Sequence, residues 1–215
     1  MFNRRFKKGA HAQVSGALPA EAGLRALIEN AWQAVRFFVQ QKQTPIFVLL
    51  GVCALSLASQ VAIPLKPVPL TFQTFVALCI GLTFTPNRAL LTGLSFLSLT
   101  ALGFPLCAGY MGGITHLLGP TGGYILSFAL VPFVIACVRH TFNLSGLFSF
   151  VGLGTLGSVF VLFLGMLWVS LFVGFSQAFH VGFKLFLFLE GLKVLFAAYT
   201  CRLFLVKGGT PRPDR

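Results

Sequence analysis

Charge is the scarcest commodity in this chain. Only 9% of its 215 residues are charged and only four are acidic, whereas about a quarter of an ordinary soluble domain is charged. A water-covered globule is therefore excluded. The acids, Glu21, Glu29, Glu190 and Asp214, are also too few and too scattered for catalysis. Ser95 and Ser98 have no histidine or carboxylate placed in sequence to activate them, so an enzyme is not expected. The five cysteines stand far apart with no CxxC and no Cys/His cluster, which argues against a disulfide framework or a zinc site. Gly119 to Gly123 lacks the Lys-Ser/Thr ending of a phosphate-binding loop. No internal repeat is visible, and no cofactor or metal is expected.

What the chain does have is apolar surface: 56% hydrophobic residues and 25 Phe, with a mean hydropathy of +0.88. One core of this size cannot hide so much, so lipid must cover the excess. The apolar region runs from Pro45 to Val206, roughly 160 residues. Six helices of about 20 residues use about 120 of them and leave about 40 for connections. The sequence thus predicts an all-α integral membrane protein with six transmembrane helices over 45–206. The spans expected are 45–63, 70–85, 88–103, 121–138, 147–175 and 183–206; the fifth is long enough to tilt, bend or overrun the bilayer. The stretch Phe104 to Pro120, rich in glycine, reads as one long loop.

The net charge of +12 is read as orientation, not as a nucleic-acid footprint, because the basic residues sit between and beside apolar runs. Arg4, Arg5, Lys7, Lys8, Arg25, Arg36 and Lys42 precede the spans, Arg88 and Arg139 fall in the second and fourth connections, and Arg202, Lys207, Arg212 and Arg215 close the chain. The odd-numbered connections carry only Lys66 and Lys184. The positive-inside rule then puts both termini in the cytoplasm, the glycine loop outside, and the protein in the cell membrane as a multi-pass chain.

Residues 1–44 form a basic extension, and 207–215 a basic tail. Within the extension Leu24, Leu27, Ile28, Ala31, Val35, Phe38 and Val39 fall on one helical stripe, the pattern of an amphipathic helix lying in the inner interface or binding a partner. The first 20 residues lack the apolar run of a signal peptide, so no cleavage is expected; a transit peptide is the weaker alternative.

Three features carry chemistry. Glu190 lies inside the last span, where an unpaired carboxylate costs several kcal/mol, and Lys193 follows three residues later on the same helical face. They form either a structural ion pair or a ligand-binding pair. The glycine loop, including Gly112 and Gly113, either caps a cavity with its exposed N–H groups or is a plain external loop. In the first span Ala54, Ala58 and Ala62 recur every four residues, which gives a flat stripe for helix packing or for docking another membrane subunit.

Pro67-Val-Pro-Leu-Thr-Phe-Gln-Thr74, Gly103-Phe-Pro-Leu106, Ala108-Gly109, Gly112-Gly113 and Leu118-Gly-Pro-Thr-Gly-Gly-Tyr124 resemble the BioY family, the biotin-binding S components of energy-coupling factor (ECF) transporters. The resemblance covers about Pro45 to Leu205. It implies biotin uptake through an outward-facing pocket, a transmembrane coupling subunit and cytoplasmic ATPases as partners, and docking through Ala54, Ala58 and Ala62. The family's Gly-Asp-x-x-Lys motif maps onto Glu190 and Lys193, a substitution that keeps the charge and lengthens the arm. Where some members carry an asparagine and an arginine, this chain has Met111 and Ile125. On this reading Gln73, Gly112, Gly113, Tyr124, Glu190 and Lys193 line the ligand. Glu190 accepts from a ureido N–H, and Lys193 donates to the ureido carbonyl. An S component for another vitamin, a solitary facilitator and a non-transport membrane scaffold are the rival readings.

Overall fold

Proline and glycine decide where the helices of this chain begin and end. The structure, a computed structural model, describes residues 44–180 and 185–207, all within one compact unit, Gln43–Arg215. The amphipathic segment at 24–39 and the tail from 208 lie outside the described residues. Helix α1, Thr44–Gln60, gives way to a two-stranded antiparallel hairpin, β1 (Ala62–Ile63) and β2 (Leu70–Thr71), with Ala62 opposite Thr71 and Ile63 opposite Leu70. Pro64, Pro67 and Pro69 fill the turn and cannot extend a helix, since each lacks the N–H that helix propagation needs. Helix α2 is Gln73–Thr83, and α3 is Pro86–Ala101, with proline preset for its first turn.

The glycine stretch is more structured than one plain loop. It contains a single 3-10 turn at Ala108–Tyr110, an isolated bridge between Cys107 and Met111, and a one-turn helix α4, Ile114–Leu117. Helix α5 (Gly122–Thr141) and helix α6 (Leu147–Val173) follow, then the short α7 (Phe175–Phe179) and α8 (Leu185–Lys207).

Two expectations are corrected here. Ala62 does not continue the alanine stripe: α1 ends at Gln60, and Ala62 is spent on the hairpin. Ala58 is buried inside the molecule and Ala54 is half-buried, so the helix offers no open row of three alanines. The second expected span, 70–85, is helical only over eleven residues, roughly 16 Å of rise, because Leu70 and Thr71 pair in the hairpin instead.

Helix α5 is central and packs on α2, α3 and α6, while α8 packs on α2 and α6, and α1 on α3. The core between them is dry, built from side chains such as Leu55, Leu78, Phe96, Phe150 and Leu162. Close helix approach depends on small residues: a Cβ on Gly93 would fall on the backbone of Ala129, so α3 and α5 meet backbone to backbone. The outer faces are just as apolar. Leu57, Phe196 and Phe204 are exposed, and Phe148 is 92% exposed, a surface suited to hydrocarbon and not to water. Helices α5 and α6 are each long and apolar enough to cross a bilayer. At 27 residues α6 rises about 40 Å, more than the roughly 30 Å of a hydrocarbon core.

Candidate functional site

The hairpin, the glycine loop and the ends of α2, α5, α6 and α8 enclose a cavity of about 500 Å³, the size of a small-molecule site. Its wall is largely apolar, with Leu70, Ile125, Phe128, Val161, Leu162 and Phe186 contributing side chains. A few polar groups converge on it.

Foremost is Glu190, 3% exposed, on α8. Ser158 Oγ on α6 donates to its Oε2 at 3.0 Å, and Lys193 Nζ pairs with its Oε1 at 2.5 Å. The i, i+3 spacing on one helix supplies the lysine, and the α6–α8 packing supplies the serine. A carboxylate has about four acceptor positions; bonds from the described residues fill two, and Glu190 is itself in the cavity wall. Lys193 differs from expectation. It is not part of the wall: it stands behind Glu190 and donates to the Thr71 carbonyl at 2.8 Å. Two of its three protons bond a neighbour on its own helix and the hairpin, so it holds the carboxylate in place and ties α8 to β2.

Gln73 does line the cavity, at the start of α2. Its Oε1 lies 3.4 Å from Thr71 Oγ1, whereas its buried Nε2 has no hydrogen-bond partner. A buried amide donor left unpaired costs about 1–3 kcal/mol, and it belongs to a residue of the cavity wall. Through Thr71 and Lys193 it belongs to the same polar chain as Glu190.

The loop is pinned over the cavity from two sides. At the end of α1, Ser59 Oγ donates to the Leu106 carbonyl and Gln60 Nε2 to the Cys107 carbonyl, both at 2.9 Å, while Gln60 Oε1 accepts from the Tyr110 N–H. From α6, the Trp168 indole N–H donates to the Gly119 carbonyl at 2.9 Å. Gly112 lines the cavity, and a Cβ there would strike the Phe104 carbonyl. Gly113 does not line it, which corrects the expectation. With φ +93° it turns the chain into α4, and its N–H donates to the Thr100 carbonyl at 2.7 Å. Tyr124 is in the wall, its ring edge-on to Phe186 and pressed against Gly165.

Several residues of the site escaped sequence reasoning. Ser158 lies 32 positions from the acid it supports; a serine in an apolar span carries no mark of its distant partner. Cys107 lines the cavity, and burial pushes its thiol up to about 11, so it stays protonated and unreactive at neutral pH. Thr115, His116 and Thr121 bring a separate polar group into the wall from the loop side. Their only sequence signal was proximity to the glycines.

The profile described as the BioY family matches residues 32–207. The chain belongs to the BioY family. Among BioY relatives it is similar to a probable biotin transporter BioY of Pyrococcus horikoshii, 37% identical over 63% of this chain and 79% of that protein. It is also similar to the biotin transporter BioY2 of Lactococcus lactis subsp. cremoris, 33% identical over 69% of this chain and 82% of that one. Its fold matches the crystal structure of an S-component for biotin from an ECF-type ABC transporter with a TM-score of 0.72, at 21% identity, over 80% of this chain and 95% of the other. A membrane protein of BioY type is thus the setting for the cavity.

Proposed function

We propose that the chain captures biotin at the outer face of the cytoplasmic membrane as the substrate-binding subunit of an ECF-type transporter. The observation that carries this reading is a buried, braced carboxylate and a glutamine with an unpartnered amide in the wall of one largely apolar cavity. A cyclic urea presents two N–H donors beside one carbonyl. Glu190 has acceptor positions left for an N–H, and Gln73 Nε2 supplies a donor for the carbonyl. The thioether ring and aliphatic tail fit against Phe128, Leu162 and Phe186. Lys193 acts through Glu190 in this arrangement.

The charge distribution supports six spans with both termini in the cytoplasm and the cavity opening outward. The sequence carries no phosphate-binding loop, so ATP hydrolysis falls to separate cytoplasmic ATPases coupled through a second membrane subunit. Docking on that subunit is assigned to the face of α1 that carries Ala54.

The test is equilibrium binding of biotin to the detergent-purified chain, with desthiobiotin, thiamine and riboflavin as competitors. Saturable 1:1 binding displaced by desthiobiotin and not by the other two is expected. Absence of biotin binding overturns the proposal. Gln73→Leu is expected to weaken biotin five- to tenfold, about 1–1.4 kcal/mol for one lost hydrogen bond, with no loss of thermal stability, because it also removes the unpaired buried donor.

A further inference from the structure

Biotin is an anion, and the polar pair just described serves its neutral end. Met111 and Ile125, both in the cavity wall, offer the tail carboxylate nothing. Lys193 bonds Glu190 and the Thr71 carbonyl and is not in the wall, and Lys66 lies in an adjoining hollow with Val173, Gln177 and Pro67, the last of which lines both. Among the described lining residues one side chain can carry positive charge: His116 on α4. It is half-buried, and its Nε2 sits 3.5 Å from Thr121 Oγ1, a hydroxyl that also lines the cavity. Thr121 is the cap of α5, and its side chain makes no capping bond. The positive end of a 20-residue helix dipole lies at the same spot.

We infer that His116 and Thr121 form the receptor for the ligand's tail carboxylate and select anionic over neutral ligands. The inference rests on the proposed biotin function and adds a specificity-determining residue to it.

The electrostatics give the receptor a pH dependence. Burial pulls the His116 imidazole below its ordinary range in the empty cavity. A carboxylate beside it favours the charged form, so binding takes up a proton. Affinity for the anion then rises as pH falls through the complex's value and levels off below the empty protein's. The other titratable groups lining the cavity are Cys107, Tyr124 and Glu190. Helix α4 contacts α3 and α5, whose remaining charged or titratable groups, Arg88, Arg139 and His140, lie at the far ends of those helices.

The deciding experiment measures biotin and biotinamide binding to the full chain between pH 5.5 and 8.0, where the tail carboxylate stays ionised. Wild type, His116→Ala and His116→Gln are compared, with melting curves to establish folding. Wild type is expected to bind biotin at least threefold more tightly at pH 5.5 than at pH 8.0, while biotinamide stays flat. Both variants should lose the biotin slope and the preference over biotinamide, yet keep biotinamide affinity within about twofold. An unchanged slope in either folded variant, or no slope in wild type, overturns the inference and leaves the biotin proposal standing. Failure of wild type to bind either ligand overturns the biotin proposal itself.

Discussion

Lys193→Ala is expected to weaken biotin binding at least tenfold, about 1.4 kcal/mol, although the lysine does not line the cavity. The reason lies in what the ammonium leaves behind. Glu190 is 3% exposed and has two protein partners, Lys193 and Ser158. Removing one member of a buried ion pair costs about 3–5 kcal/mol, most of it from the charge left uncompensated. The Thr71 carbonyl loses its donor in the same step, so the hairpin side of the cavity is loosened from α8. Binding and melting temperature should therefore fall together in the single variant. The double variant Glu190→Gln/Lys193→Ala separates the two effects. With no orphaned charge its melting temperature should recover, while biotin remains weak because the amide cannot replace a carboxylate acceptor braced by Ser158. Calorimetric titration and a thermal melt of the two proteins check this. Wild-type affinity in Lys193→Ala would remove the ion pair from the binding machinery.

How far this site could be read in advance depends on the range of each interaction. The Glu190–Lys193 pair was legible because helical spacing puts i and i+3 on one face. That Lys193 also bonds the hairpin was not, because its second acceptor, the Thr71 carbonyl, lies 122 positions away. Gln73 was legible from its motif, but its unpaired amide shows only once the hairpin folds beside it. Of the two loop glycines Gly112 lines the cavity and Gly113 turns the chain, a difference that composition does not carry. The alanine stripe failed for a physical reason that was present in the sequence. Pro64 disfavours a helical residue before it, and the chain leaves the helix at Gln60 to pair Ala62 with Thr71. Periodicity alone carried the pattern one residue too far. His116 and Thr121 are close in sequence, but nothing in their spacing reports the cavity they share.

Gly165→Ala isolates the steric logic of the cavity wall, and its expected sign is opposite to what helix chemistry alone predicts. Gly165 lies inside α6, where replacement by alanine should stabilise by about 1 kcal/mol through helix propensity. At this position, however, a Cβ would fall on the Tyr124 ring. That ring is hemmed in by Phe186, edge-on at 6.3 Å between centroids. Neither backbone can retreat easily, because Gly123 on α5 already abuts Trp168 of α6. The ring is left to swing into the space where the ligand belongs. Overpacking of this kind costs about 1–3 kcal/mol, so the variant should melt lower than wild type and bind biotin at least tenfold more weakly. Gly152 provides the control within the same helix: a Cβ there meets nothing within 4 Å, so Gly152→Ala should melt at or above wild type and bind normally. Equal melting shifts in Gly165→Ala and Gly152→Ala would mean that Tyr124 is free to move, and the wall would then be softer than its packing implies.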